Sequence, residues 1–267
     1  MRNFIVLFDE LRSVGASGEA VVVPPDWCQG RTVYGGLSAA LLADAVSAGI
    51  DADRRLRYLN VSFLKPLEAD KPFTLAVQPV SAGRTLTVNT GRIVQDGIDR
   101  VAVQANFVAK LDGRTDASNF KRPELAHWDA DGVIRVRGPF APVFTQYFDF
   151  RVATGGLPFQ GHGSPELGGW MRFERAAGAL SASHVVGLTD VWPPVAASYL
   201  TQPAPLSTIN WVIHFGELDD DIDADAFVGY LARLNFFKNG YGSSSADVWT
   251  PDGRLLAKSF QTFVIYG

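Results

Sequence analysis

Asp190 is the residue whose setting most invites chemistry. In GLTDVWPPV, residues 187–195, a carboxylate sits among apolar neighbours, and Pro193-Pro194 then shut the segment down. Asp is a poor helix-interior residue and is costly to bury without partners. Asp190 is therefore a cap, a surface residue, or a group whose charge is used. A carboxylate has an ordinary pKa of about 3.9 and is a weak base, but partial burial raises it and improves it as a proton acceptor. Taken alone, the cap or surface reading is the better one. A second feature, GLSAA at residues 36–40, half-resembles the nucleophile elbow G-x-S-x-G. The final glycine is missing, and an elbow needs a strand–turn–helix in a parallel sheet. The four histidines, His127, His162, His184 and His214, are scattered, so no metal site is expected. Neither a P-loop nor a dinucleotide fingerprint occurs, and no cofactor is expected.

These residues must be positioned by something, and the bulk numbers set its scale. The chain has 267 residues, 47% of them hydrophobic, enough for one large domain or two small ones. Its net charge of −4 argues against a nucleic-acid partner, which calls for a basic face. The run Asp219-Asp220-Asp221 reads as a solvated turn. Cys28 is the single cysteine, so an intrachain disulfide is impossible and nothing points to an oxidising compartment. The start, MRNFIVLFDELRS, lacks the long apolar core of a signal peptide. No apolar run approaches the ~20 residues of a membrane span. The expectation is a soluble, cytoplasmic protein.

The chain says the same thing twice. From Leu56 to Lys110 it reads as an antiparallel meander, with strand candidates at 61–64, 73–80 and 85–90, an Asp96-Gly97 turn and a final strand VAVQANFVAK. Toward the C-terminus, candidates at 208–215, 227–236 and 241–249 lead to Pro251-Asp252-Gly253 and a final strand LLAKSFQTFVIY. A helix candidate precedes each meander: Tyr34 to Ala48, with Leu37, Leu41, Leu42 and Ala45 at helical spacing, and a second between Gly178 and Trp192. More strand precedes each helix, at 19–23 in the first half and at 143–151 and 170–174 in the second. Asp112 to Pro139, rich in Asp, Arg, Gly and Pro, reads as a linker. One helix per antiparallel meander predicts an α+β fold, with each sheet curled around its helix. Gly35-Gly36 at the first helix start suits close approach of the backbone to another group.

The order and spacing of six segments resemble the double-hotdog acyl-CoA thioesterases of the thioesterase II type. They are RTVYGGLSAALLADAV, VSFLKPLEADKPF and SAGRTLTVNTGRIVQDG in the first half, and GLTDVWPPV, STINWVIHF and PDGRLLAKSFQTFVIYG in the second. The resemblance implies two tandem hotdog domains, 1–112 and 140–267, joined by a linker at 113–139. It implies catalytic residues in the second domain, falling on Asp190, Thr208 and Gln261, and hydrolysis of acyl-CoA. One departure is His214-Phe215-Gly216-Glu217-Leu218, where relatives often carry an aromatic-Phe-His-Arg-Pro run.

The chemistry implied is attack of water on a thioester carbonyl. Asp190 takes the proton or attacks directly, and a hydroxyl and an amide orient water or substrate. Backbone N–H groups at Gly35 and Gly36, at the helix start, are candidate oxyanion donors that would contact substrate. Packing between helix and sheet is an equal alternative for this glycine pair. Lys65, Arg84, Arg92 and Lys238 are candidates for the CoA phosphates. Two rivals stand beside hydrolysis. A non-catalytic hotdog would bind acyl thioesters without turnover. A hotdog hydratase resembles D-x-N-P-x-H, but DVWPPV has Trp192 for the Asn and Val195 for the His. By family analogy, association into a homodimer or larger homo-oligomer is expected.

Overall fold

The computed structural model describes residues 3–111, 113, 117–137, 141–216, 218 and 222–266, so the acidic run Asp219–Asp221 lies outside the described residues. Among the described residues there are three α-helices: α1 (Phe4–Ala16), α2 (Gly35–Ser47) and α3 (Ala182–Thr189). Two short strands, β1 (Cys28–Gln29) and β2 (Thr32–Val33), pair with each other. The first meander is β3 (Arg54–Phe63), β4 (Thr74–Ala82), β5 (Leu86–Gln95) and β6 (Ile98–Ala109). Then come β7 (Ile134–Arg135), β8 (Phe148–Gly155) and β9 (Glu166–Phe173). The second meander is β10 (Leu206–Phe215), β11 (Val228–Lys238), β12 (Tyr241–Trp249) and β13 (Leu255–Ile265).

The repeat is visible in the sheet itself. Eleven strands run β4-β5-β6-β3-β10-β13-β12-β11-β9-β8-β7, so each meander has the same internal order and the two meet edge to edge at β3 and β10. Asn210 opposite Ser62 and His214 opposite Tyr58 bound that seam. α2 is apolar nearly all round, with Leu37, Leu41, Leu42 and Val46 buried, because sheet lies on one side and α3 on the other. The fold is thus α+β, a tandem hotdog arrangement with its two central helices packed together.

Three local expectations are corrected and one helix was missed. The strand expected at 19–23 is reduced to one bridge, Val21 to Phe73, because Pro24 and Pro25 follow and remove the next donors. The stretch 143–151 opens as a 3-10 turn, Val143–Tyr147, before β8 begins. The second helix is shorter than 178–192. Ser181 caps it, accepting from the His184 N–H, while His184 receives the Ser181 N–H. Finally, α1 was not anticipated, although Phe4, Leu7, Phe8 and Leu11 are buried at helical spacing and Asn3 caps its start.

α1 is more than a terminal appendage. The Phe4 ring stacks on Phe173 at 4.6 Å and meets Trp27 and Phe148 at 5.7 Å. It also fills the space beside Gly187, where a β-carbon would lie 2.4 Å from the Phe4 ring. Phe4→Ala is expected to cost about 3–5 kcal/mol, read as a lower midpoint in urea unfolding.

The described part of the linker lies on the outer face of the second repeat. Trp128 stacks on Phe227 at 5.0 Å and meets Trp170 edge-on at 5.1 Å. The Trp170 indole N–H donates to the Ala126 carbonyl at 2.8 Å. Ile134 and Arg135 then extend the sheet as β7.

Candidate active site

The last turn of α3 ends at Asp190, which caps the helix C-terminus. A negative charge at that end opposes the α3 dipole, so something else must favour it. That something is the start of α2, where free N–H groups and positive potential meet the carboxylate. The Gly36 backbone N–H hydrogen bonds to Asp190. Gly35 leaves room for the carboxylate, since a β-carbon there would lie 2.8 Å from Oδ2 and 3.2 Å from the Phe63 ring. Across the site, Gln261 Nε2 donates to Asp190 Oδ1 at 3.1 Å. The site therefore joins the helix start of the first repeat to the helix end and final strand of the second.

Packing around Asp190 is dense, but a narrow opening remains. Asp190, Gly35, Phe63 and Thr208 each keep partial exposure, while Gly36 and Gln261 are buried. Burial pushes the Asp190 carboxyl up to about 7, opposed by the hydrogen bonds from Gly36 and Gln261. Tyr34 and Tyr230 are both buried close enough for the Asp190 charge to help hold their hydroxyls protonated. Tyr230 is itself fixed by stacking on Trp192 at 5.0 Å.

Gln261 lies on β13, in the middle of the second meander, opposite Trp211 of β10. It is 7% exposed, so it is not an outward residue of an edge strand. Thr208 reaches the same face through an irregularity. Trp211, Ile213 and Phe215 are buried, so strict alternation would turn Thr208 outward. A bulge between Thr208 and Asn210 makes Ile209 the extra residue and reverses the phase. Thr208 then pairs with Phe263, which is fully buried on the face shared with Gln261. Among the described residues, no side-chain hydrogen bond joins Thr208 to Asp190 or Gln261. Gly36, expected as a donor for an oxyanion, has its N–H beside the carboxylate and favours its charged form. Gly35 stays partly exposed beside it.

The repeat places a different set at the mirrored positions. Thr208 is the third residue of β10, and the third residue of β3 is Leu56. Gln261 lies two residues before buried Phe263, and Ala105 lies two before buried Phe107. LTDVW, ending at Trp192, has its counterpart in LADAV, ending at Val46, so Asp44 matches Asp190. Asp44 lines a cavity of about 180 Å³ between α1, α2 and β4, and its nearest cation is Arg12 at 3.7 Å. Of the three residues Asp190, Thr208 and Gln261, the mirrored positions repeat the carboxylate alone.

Register also sorts the candidate phosphate ligands. β3 ends at Phe63 on the side where β10 begins and β11 ends, so Lys65 and Lys238 stand at the same end of the sheet as the Asp190 opening. Arg84 lies at the opposite end, against Arg54. Arg92 is engaged by Asp99 at 3.2 Å. Tyr34, Tyr230 and Phe63 were not singled out from the sequence. The aromatic residue directly before Gly35-Gly36 was the available signal for Tyr34. Among the described residues, no group of three His, Cys, Asp or Glu is arranged to hold a metal, and no helix is long and apolar enough to cross a membrane.

Residues 23–109 match the family model described as the acyl-CoA thioesterase N-terminal domain, and residues 120–265 match the acyl-CoA thioesterase C-terminal domain. No curated protein matches the chain by sequence. Among solved structures, a conserved hot dog fold protein from Alicyclobacillus acidocaldarius is similar, with 22% identity, a TM-score of 0.82 and coverage of 93% of this chain and 92% of that one. The tesB protein of Mycobacterium avium subspecies paratuberculosis is 17% identical, with a TM-score of 0.73 over 96% of this chain and 100% of that one. The acyl-CoA thioesterase II of Mycobacterium marinum is 15% identical, with a TM-score of 0.67 over 88% and 90%. At these identities the likenesses speak for the fold.

Proposed function

The chain belongs to the acyl-CoA thioesterase family, its two repeats being that family's N-terminal and C-terminal domains, and from that premise we propose that Asp190, Gln261 and Thr208 form its hydrolytic site. One observation carries this reading: a carboxylate tuned to about 7 lies beside a helix start and receives a hydrogen bond from Gln261. A base with a pKa near the working pH is the most effective proton acceptor. With its Nε2 committed to Asp190, Gln261 keeps its carbonyl oxygen to accept from water. The Thr208 hydroxyl, on the same sheet face, orients water or the thioester oxygen. Asp190 removes the proton as water attacks the thioester carbonyl, the C–S bond breaks as the tetrahedral intermediate collapses, and the same proton passes to the sulfur so that the free acid and the CoA thiol leave. The exposed end of the sheet at Lys65 and Lys238 is where the CoA phosphates would find positive charge.

Thiol release from acyl-CoAs of short to long chain tests the reading directly. Turnover is expected, and kcat/KM should follow the ionised carboxylate. Below pH 7 it rises about tenfold per pH unit, and above pH 7 it levels off. A flat profile from pH 5 to 9 would remove Asp190 as the base. Tight acyl-CoA binding without thiol release would favour a non-catalytic binding protein.

A further inference from the structure

We propose that Tyr34 is a positioning residue for the Asp190 carboxylate, so that residues 34–36 of the first repeat hold the catalytic turn of the second from two sides. This rests on the reading of Asp190 as the working carboxylate. The Tyr34 hydroxyl donates to the Gly187 carbonyl at 2.7 Å, across 153 residues of sequence. Gly187 lies in the last turn of α3, where carbonyls lack intrahelical donors. Tyr34 thus caps the helix that ends in Asp190. Two residues further along, the Gly36 N–H grips the carboxylate itself. The exchange is reciprocal, because α2 has no side-chain cap of its own and Asp190 supplies one.

Every part of this clasp is fixed by packing. The Tyr34 ring is fully buried, stacked on Phe144 at 4.1 Å and edge-on to Phe148 at 5.7 Å. It lies directly over Gly36, where a β-carbon would come within 2.5 Å of the phenol. On the far side of the α3 turn, Phe4 fills the space at Gly187. The turn is therefore pinned between Tyr34 and Phe4, and the backbone that carries Asp190 cannot move away from Gly36 and Gln261 without breaking the Tyr34 bond. Among the described residues, Tyr34, Tyr230, Gln261 and the Gly36 N–H act on the Asp190 carboxyl, and Thr208 lies on the same sheet face as Gln261.

Tyr34→Phe in the full chain keeps the ring and its stacking and removes only the hydroxyl. The expected result is a fall in kcat of about tenfold or more, with KM changed by less than about threefold, since positioning acts on the reacting step. The acidic limb of the pH profile should also move up by about half a unit, because a carboxylate that drifts from Gly36 loses a hydrogen bond to its charged form. A carbon-13 titration of the Asp190 carboxyl reads the same shift without reference to activity. Unchanged kcat with an unchanged Asp190 titration overturns the proposal, even if the melting temperature falls. If Asp190→Asn retains turnover, the catalytic reading fails, while a shifted titration in Tyr34→Phe still supports the clasp. Should Tyr34→Phe not fold, Phe144→Leu loosens the same ring and should shift kcat and the titration in the same direction. No shift in that variant also overturns the proposal.

Discussion

Asp190→Asn should reduce thiol release from acyl-CoA by about 10³-fold or more while leaving the protein folded, and more stable than wild type at alkaline pH. The substitution preserves volume and leaves one oxygen to accept from Gly36, while Gln261 can turn its amide so that its carbonyl accepts from the new NH2. It removes the group proposed to take the proton. The stability effect follows from linkage. The carboxyl is raised in the folded protein from 3.8 to about 7, so the folded state binds the extra proton. Stability from the neutral acid is full below pH 3.8 and is lost as pH rises through 7. Above pH 7 the wild type holds a charge that the variant lacks. A shift of this size corresponds to about 4 kcal/mol, and the opening to solvent reduces it to about 1–2 kcal/mol. Urea unfolding at pH 5 and pH 9, beside the thiol assay, measures both effects. Undiminished turnover would take Asp190 out of the reaction. A variant less stable than wild type at pH 9 would mean that Gly36 and Gln261 solvate the carboxylate fully.

Gly35→Ala should lower kcat/KM by about 10²-fold with little change in stability. The added methyl would sit 2.8 Å from Asp190 Oδ2 and 3.2 Å from two carbons of the Phe63 ring. Either the carboxylate or the ring must move, and both line the opening. A misplacement of about 1 Å at a reacting group can cost about 10²-fold. Stability should hold because Gly35 lies in α2 with an ordinary helical backbone, where alanine is favoured by up to about 1 kcal/mol. The loss of rate would therefore come without a fall in melting temperature. Activity within about threefold of wild type would show that the carboxylate tolerates displacement, and would argue against a tightly held base.

Much of this protein was legible in its sequence because the signals are local. Alternation marked the meander strands, the Asp-Gly turns punctuated them, and leucine and alanine spacing marked α2. The doubled order of these elements carried the fold, since each antiparallel meander can bury its apolar face only against its own helix. Asp190 was legible as an anomaly, a charge in apolar text. α1 was missed although the spacing of Phe4, Leu7, Phe8 and Leu11 carried its signal, because a short apolar run at a chain start also suits a loose terminus.

What the tertiary structure alone decided is how distant residues meet. Strict alternation turns Thr208 outward, and only the bulge at Ile209 brings it to the face of Gln261. A bulge depends on register against the partner strand, which no stretch of one strand encodes. The pairing of Gly36 with Asp190, and of Tyr34 with Gly187, spans more than 150 residues and exists only because the two central helices lie against each other. Neither partner carries a local mark of the other. Whether Asp190 is a solvated cap or a carboxylate tuned to about 7 rests on that meeting, because desolvation and donors come from both repeats. Residue types and order determined which groups the protein owns, and the packing of one repeat on the other determined what their charges cost and what they can do.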